Sequence, residues 1–363
     1  MSVILFILIL VLLIVVHEFG HFVVAKLSGM RVDEFGIGYP PRIAGFRKGE
    51  TEYTLNALPF GGFVSIFGED DTEAGSPRAF AARPRILQAA TLVAGIVMNL
   101  LLGYVIISGM LAVGTPRSLT AEEAARTPDA RLVVASVLPG SPAEKAGLQA
   151  GDTIKETTNA AGIFTTNDPS AFTAYVSDTV VSGPLTLVVE RNGALESLTA
   201  APETGVIAGE PERRALGISL ATVGTLAVPW YLAPIEGAKL TWEITKQVGA
   251  GLIGFFGSVF TLSADLAQVS GPVGIAGAVG DAYDQGLTPL FTITALISIN
   301  LALINLLPIP ALDGGRLLFV IIESITRRPI PALFVRTVNV AGFAFLILLM
   351  LVITASDILK LVF

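Results

Sequence analysis

The chain contains 363 residues, of which 52% are hydrophobic and only 15% are charged, and its mean hydropathy is +0.71. Ordinary soluble domains are less apolar than this, so the composition predicts an integral membrane protein. The net charge of -7 argues against a nucleic-acid partner, and the absence of cysteine excludes disulfides and thiolate metal ligands.

The first predicted element is a membrane-spanning helix over residues 3–25, which holds the only two histidines of the chain, His17 and His21. Residues four apart share a helix face, so both imidazoles can bind one metal ion, with Glu18 beside them as a general base. This pattern is the start of a zinc hydrolase site. A chance match, or polar contacts that join helices, is the alternative. Histidine and glutamate are costly in a bilayer, which favours the functional interpretation.

The loop that follows, residues 26–85, is predicted to be cytoplasmic, because it holds eight lysines and arginines whereas none precedes the first span. Within it, residues 51–66 alternate between polar and apolar around a Pro59-Phe60-Gly61-Gly62 run, which predicts a membrane-associated β-hairpin. Its edge could pair with an unwound substrate segment. A connector packed on the helix bundle is the alternative. The acidic residues that follow are interpreted as a solvated loop; they are Glu69, Asp70, Asp71 and Glu73.

Three further membrane spans are predicted, at residues 87–113, 290–307 and 338–355. Residues 241–262 are also apolar, but Glu243 and Lys246 indicate an amphipathic helix at the membrane interface, with a fifth span as the alternative. The N-terminus and residues 115–288 are then predicted to lie outside. The connection before the last span is predicted to be cytoplasmic, because it contains four arginines.

The outer segment is predicted to hold one small α/β domain. Residues 131–138 have the composition of a strand, and Ser141 and Asp168 are each followed by a proline, as at the start of a helix. Two further strands, residues 185–190 and 194–200, flank an Asn192-Gly193 hairpin signal. The run from residue 141 to 152 resembles the signature of bacterial PDZ domains, which capture extended peptides or C-termini by strand addition. A steric gate without a peptide ligand is the alternative.

Membrane depth makes Asp313 the candidate for a third metal ligand. Without cysteine, any further protein ligand of an ion held by His17 and His21 must be a carboxylate or a weaker donor. Pro308 and Pro310 end the third span at its cytoplasmic end, the level at which the histidines lie. Asp313 follows, and the two glycines after it allow a close approach of the backbone. Capping of the next helix is the alternative role for Asp313.

These motifs together resemble the site-2 protease family, and most closely its bacterial RseP-type regulated intramembrane metalloproteases. The resemblance covers essentially the whole chain. It implies zinc held by His17, His21 and Asp313, Glu18 as the general base, and Asn305 as a contact of the substrate carbonyl. It rests on the runs at residues 17–21, 36–41 and 271–275 and on the stretch from residue 298 through Asn305 to Gly315. Asn300 is a second family position, for which a hydrogen bond between helices is the alternative role.

Two departures from the family pattern accompany the resemblance. Arg316 stands where some members have a histidine, which removes no ligand from the implied set. Close relatives often carry two PDZ domains in tandem, whereas this chain has room for one.

The sequence therefore predicts a multi-pass α-helical membrane protein with four transmembrane helices, an inserted extracytoplasmic PDZ-like α/β domain and a cytoplasmic-side β-hairpin. The predicted divisions are a first membrane half at residues 1–114, the PDZ-like domain at 115–205, a linker with the interfacial helix at 206–288, and a second membrane half at 289–363.

The function implied by the resemblance is that of a zinc metalloendopeptidase of the bacterial inner membrane, with its active site toward the cytoplasm. Its substrates would be single-span membrane proteins cut within or near the transmembrane segment, such as anti-sigma factors or signal-peptide remnants. Two alternatives are an inactive zinc-binding scaffold that recruits partners through the PDZ-like domain, and a metal transporter. Glu18 argues against a scaffold, because binding needs no base. The scarcity of other polar groups in the spans argues against a transporter.

Overall fold

The computed structural model describes residues 2–69, 76–160, 162–177, 183–191, 193–207, 210, 212–261 and 270–362. In chain order, the helices and strands of this part are α1 (Ser2–Leu27), β1 (Val32–Lys48), β2 (Thr51–Ile66), α2 (Arg85–Val113), β3 (Thr115–Ser118), α3 (Ala121–Ala124), β4 (Arg131–Val137), α4 (Pro142–Lys145), β5 (Thr153–Asn159), β6 (Gly162–Phe164), α5 (Pro169–Ser177), β7 (Leu185–Arg191), β8 (Ala194–Ala200), β9 (Ile218–Leu226), α6 (Ala233–Phe260), α7 (Pro272–Gln285), α8 (Leu287–Leu306), α9 (Asp313–Thr326) and α10 (Ala332–Val362). The chain divides into two compact units, one made of Met1–Met110 with Trp230–Phe363 and the other of Leu111–Pro229.

Four helices of the described chain are long and apolar enough to cross a membrane: α1, α2, α8 and residues Ala332–Leu359 of α10. They coincide with the four predicted spans. The last one begins directly after Pro331, earlier than predicted, because Arg336 lies inside the helix rather than before it. A single arginine near the end of a span is tolerated, since its long side chain can reach the polar interface.

Helix α6 is not among the candidate spans found in the described chain. Its charged side chains pair within the helix, Lys239 with Glu236 and Lys246 with Glu243, each at 2.8 Å. The helix nevertheless packs closely against α2. Gly237 lies so near Ser108 that there is no room for a side chain at this position. The interfacial position of α6 stays a prediction, and the predicted last residue, 262, lies outside the described residues.

Helix α2 packs between α1 and α8 through small residues. Gly20 of α1 lies so close to the backbone of Ala94 that an added Cβ atom would meet the Ala94 carbonyl. On the side of α8, a Cβ atom at Gly103 would lie 2.9 Å from Ile299. The Ser298 hydroxyl of α8 also donates a 2.8 Å hydrogen bond to the Asn99 carbonyl. Small residues and buried hydroxyls are the usual means of close helix association in membranes.

The hairpin after α1 is built differently from the sequence prediction. It forms between β1 and β2, and its turn lies at Gly49 and Glu50 rather than at residues 59–62. Gly49 has a φ of +65°, which suits a tight turn. Residues 34–37 lie between residues 52–55 and 62–65, so the two long, bent strands form a sheet of four strand segments. Residues 62–66 form one edge of this sheet.

The acidic residues after β2 are only partly described. Glu69 is not simply solvated, because it forms a 2.7 Å ion pair with Arg316 of α9. The other three, Asp70, Asp71 and Glu73, lie outside the described residues.

The unit Leu111–Pro229 is built on a sheet in which the strands follow the order β3-β9-β4-β5-β7-β8, and β6 pairs with β5. Its core is apolar, with Val134, Leu185, Leu187 and Val189 fully buried. The unit extends past the predicted boundary at residue 205, because β9 pairs with both β3 and β4.

The local signals in this unit agree with its helices and strands. The Ser141 hydroxyl accepts a hydrogen bond from the Glu144 amide at the start of α4, and the Asp168 carboxylate accepts one from the Ser170 amide at the start of α5. Strands β7 and β8 pair antiparallel. Asn192 of the predicted turn between them lies outside the described residues.

Candidate metal site

Three side chains from opposite ends of the sequence meet between the apolar helices. The Asp313 Oδ2 atom lies 2.8 Å from His17 Nε2 and 3.2 Å from His21 Nε2. The two Nε2 atoms are 3.1 Å apart, and the rings are nearly perpendicular at 81°. Both histidines are buried, whereas the Asp313 side chain keeps 17% of its surface exposed. The carboxylate is therefore the more exposed member of the cluster.

The backbone around Asp313 holds its carboxylate toward the histidines. Helix α8 ends at Leu306, before the two prolines, and α9 begins at Asp313 itself. An added Cβ atom at Gly314 or Gly315 would collide with the carbonyls of the preceding loop, so both positions need glycine. The N-cap of α9 is Leu312, with no side-chain capping bond, so Asp313 does not act as the cap.

Helix α2 contacts both imidazole rings, through polar groups at their Nδ1 atoms and through Gly95 near their Nε2 atoms. His21 Nδ1 lies 2.7 Å from the Thr91 carbonyl, and His17 Nδ1 lies 3.3 Å from the side-chain amide of Asn99. Gly95 lies between these two positions, and a Cβ atom there would be 2.5 Å from His21 Nε2. Helix α2 thus orients both rings although it supplies none of the three clustered donor atoms.

The donor set fits a divalent metal. The three donor atoms form a triangle with sides of 2.8, 3.1 and 3.2 Å. Bonds of about 2.0–2.1 Å in a tetrahedral zinc site place ligand atoms about 3.3 Å apart, so the triangle needs to open by only a few tenths of an ångström. Two imidazoles and one carboxylate also match catalytic zinc sites, which leave the fourth position for water or substrate.

The other predicted site residues lie on α1 and α8. Glu18 follows His17 on α1 and is partly exposed, and its Cγ would lie 3.8 Å from a Cβ atom at Gly62, on the edge of the β1–β2 sheet. Asn300 and Asn305 are partly exposed on α8. Five residues turn a helix through about 500°, so these two side chains point about 140° apart and do not share one face of α8.

Ion pairs connect the segments near the histidine-bearing end of α1. Lys26 and Arg78 both bind Glu50 in the hairpin turn, at 2.8 and 2.7 Å. Hydrogen bonds from Arg78 and Lys26 lower the pKa of Glu50 to about 2. Arg85, at the start of α2, pairs with Glu323 of α9 at 2.8 Å. These contacts join α1 to the hairpin turn and α2 to α9.

The contribution of α2 to the site was not predicted from the sequence. Gln88, Thr91, Gly95 and Asn99 are all buried and recur every three or four residues, so they form one polar and small stripe along this helix. Polar residues on one face of a predicted span point toward the bundle interior. That spacing is a signal that could have located the stripe.

The apolar helices and the buried His-His-Asp cluster define this chain as a membrane protein of the metalloprotease class. The sequence profile of peptidase family M50 matches residues 5–349, and the chain belongs to this family, that of the site-2 proteases. The family resemblance seen in the sequence motifs is confirmed.

Relatives that align with nearly the whole chain support the same assignment. A protein of Clostridium perfringens named as a zinc metalloprotease is 35% identical over 348 residues, which cover 96% of this chain and 95% of the relative. The zinc metalloprotease RasP of Geobacillus kaustophilus is 30% identical over 448 aligned positions, covering 99% of this chain and 98% of RasP. That alignment exceeds the 363 residues of this chain, so RasP contains segments that are absent here.

Proposed function

We propose that this metalloprotease hydrolyses a peptide bond within or near the transmembrane segment of single-span membrane proteins. The observation that carries the proposal is the position of the cluster: His17 and His21 are buried on a helix that is apolar enough to span a bilayer, and Asp313 meets them directly after the end of α8. A peptide bond that reaches these residues must approach from within or close to the hydrocarbon layer.

The proposed ligands are His17, His21 and Asp313, and Glu18 is the proposed general base. Zinc held there would polarise the scissile carbonyl and lower the pKa of a bound water to about 7. Glu18 accepts the proton of the attacking water and then delivers it to the nitrogen of the leaving amine. Asn305, at the end of α8, is proposed to donate a hydrogen bond from its side-chain amide N–H to the substrate carbonyl oxygen. Asn300, on another face of the helix, is proposed to act on the substrate or between helices.

The sheet edge beside Glu18 supports a route for substrate binding. A transmembrane helix satisfies its own backbone hydrogen bonds, so a substrate must unwind before hydrolysis. Residues 62–66 pair with β1 on one side only among the described strands, and Gly62 lies next to Glu18. An unwound substrate can add to this edge by backbone pairing. Val64 and Ile66 also pack on the helix bundle, which fixes the edge in place.

The proposed orientation places the cluster at the cytoplasmic side of the inner membrane, with the N-terminus and the Leu111–Pro229 unit outside. Two positively charged segments support this orientation, because such segments stay on the cytoplasmic side. One is the basic loop after α1, and the other contains the arginines of α9 and of its flanks. The absence of natural cysteine allows a direct test. In cells, a membrane-impermeant maleimide should label Gly140→Cys in the outer unit and leave Gly49→Cys in the hairpin turn unlabelled. The reverse pattern would invert the topology.

The Leu111–Pro229 unit is proposed to be a PDZ-like module that binds an extended peptide or a C-terminus. A cavity of about 570 Å³ lies between the start of β9 and α5, lined by apolar side chains that include Phe172, Val176 and Leu220. Residues 218–221 of β9 pair only with β4 among the described strands, which leaves their other edge for strand addition. A steric gate is the alternative function of the unit.

The Glu18→Gln variant tests the proposed mechanism. The substitution keeps the size of the side chain and the three ligands, so the purified protein should bind zinc as the native protein does but lose cleavage of a single-span substrate. Removal of general-base catalysis typically costs about 100- to 10,000-fold in rate. The Asp313→Asn variant is the matched control, because it should lose zinc as well as activity.

Two results of this experiment would argue against the proposal. Undiminished cleavage by Glu18→Gln would exclude Glu18 as the base. A native protein that binds zinc but cleaves no membrane substrate would support the scaffold alternative.

A further inference from the structure

The Asn99 side chain is buried between the helices, where water from outside cannot form hydrogen bonds with it. The residue is 0% exposed, and its Oδ1 atom has no hydrogen-bond partner among the described residues. The other end of the same amide, Nδ2, lies 3.3 Å from His17 Nδ1. A buried amide is costly unless its polar atoms are used, so this position in the middle of an apolar span requires an explanation.

The chemistry of a metal-bound imidazole explains the buried position of Asn99. A neutral imidazole that gives its Nε2 lone pair to a metal carries its proton on Nδ1, and that proton needs an acceptor. For His21 the acceptor is the Thr91 carbonyl, 2.7 Å from Nδ1. For His17 the group in the corresponding position is Asn99, whose acceptor is Oδ1. Rotation of the amide by 180° exchanges its nitrogen and oxygen and places Oδ1 against His17 Nδ1, because the two ends of the amide have nearly the same shape.

We propose that Asn99 is a positioning residue that accepts the Nδ1 proton of His17 through Oδ1 when the site holds its metal. This bond fixes the ring tautomer and aims Nε2 at Asp313 and His21. The inference rests on the proposed zinc site and adds to it a side chain that touches neither substrate nor metal.

Two substitutions separate this role from simple packing. Asn99→Leu has similar volume but no acceptor, and loss of such an outer partner typically weakens metal binding by about 10- to 100-fold. Asn99→Asp keeps the acceptor and cannot donate when ionised, so it should bind zinc at least as tightly as the native protein. Ser298→Ala removes a buried hydrogen bond to the same residue without touching the Asn99 side chain, and should leave zinc affinity unchanged.

The two histidines also allow a direct spectroscopic measurement. In zinc-loaded protein labelled with ¹⁵N-histidine, all ring signals come from His17 and His21. The native protein should show two Nδ1–H protons that exchange slowly with solvent. Asn99→Leu should lose one of them and keep the other, which the Thr91 carbonyl protects.

The outcomes distinguish this inference from the proposed function. A native protein that does not bind zinc would overturn the metal site itself. Native affinity and two protected protons in Asn99→Leu would overturn the role of Asn99 alone. Equal losses of affinity in Asn99→Asp and Asn99→Leu would show that Asn99 donates rather than accepts, which also overturns the inference. If Asn99→Leu does not fold, the Asn99→Asp affinity and the native spectrum still decide between these results.

Discussion

The Gly95→Ala variant is expected to lose zinc while its helices remain as stable as those of the native protein. An added Cβ atom would lie 2.5 Å from His21 Nε2 and 2.7 Å from His17 Cε1, whereas ordinary contacts begin at 3.4 Å. The rings must therefore move by about 0.7–0.9 Å, several times the tolerance of about 0.2 Å for a metal–ligand distance. We expect zinc affinity to fall by about 10- to 100-fold. Alanine forms helices better than glycine by about 1 kcal/mol, and the added atom meets the ends of side chains rather than backbone, so the unfolding temperature of the metal-free protein should change little.

The assay is competition for zinc between the detergent-purified protein and a chromophoric chelator, with thermal unfolding of the metal-free protein measured alongside. Gly109→Ala is the matched control on the same helix, because no described heavy atom lies within 4 Å of the added Cβ atom. Native zinc affinity in Gly95→Ala would refute the reasoning. An equal loss in both variants would place the effect in α2 as a whole rather than in the contact with the rings.

Two further substitutions test the packing of each unit. Gly20→Ala places a methyl group against the backbone carbonyl of Ala94, so it should destabilise the α1–α2 pair by about 1–3 kcal/mol. The expected results are a lower unfolding temperature and weaker zinc binding. Unchanged stability would contradict the close packing of α1 and α2. In the other unit, burial opposes ionisation of Asp152, but hydrogen bonds from Arg191 at 2.7 Å outweigh it and hold the pKa of Asp152 below its ordinary value. The folded-state pKa is the lower one, so the stabilisation is present at neutral pH and is lost as the pH falls below about 4. Asp152→Asn should therefore reduce the free energy of unfolding by about 1.5–3 kcal/mol at pH 7 and by less in acid. Hydrogen exchange of the amides of β5 and β7 measures this difference. A difference that does not change with pH would contradict the role of the Asp152 charge.

The membrane spans and the members of the cluster could be predicted because their sequence signals are strong. A run of about 20 apolar residues has few other structural solutions. With only two histidines and no cysteine, the possible ligand sets were few, and depth in the membrane then selected Asp313. The structure brings this carboxylate to the two imidazoles, and its role as a ligand remains the proposal.

The features that the sequence did not reveal depend on contacts between distant segments. Strand β1 contains Gly36, Gly38, Pro40 and Pro41, residues that ordinarily break a strand, and it is held by pairing on both sides with β2. Strand β9 lies in a stretch interpreted as a linker, and it joins the sheet between β3 and β4. The roles of Asn99 and Gly95 depend on which face of α2 meets α1. Local helix propensity does not determine that face.

The ligands of the proposed site are made at very different times during protein synthesis. His17 and Asp313 are 296 residues apart, and at about 5–20 residues per second a ribosome needs roughly 15–60 s to cover that distance. The histidine pair, with its supporting groups on α2, enters the membrane long before the carboxylate exists. A nascent chain, or one truncated before Asp313, therefore holds an incomplete set of the proposed ligands.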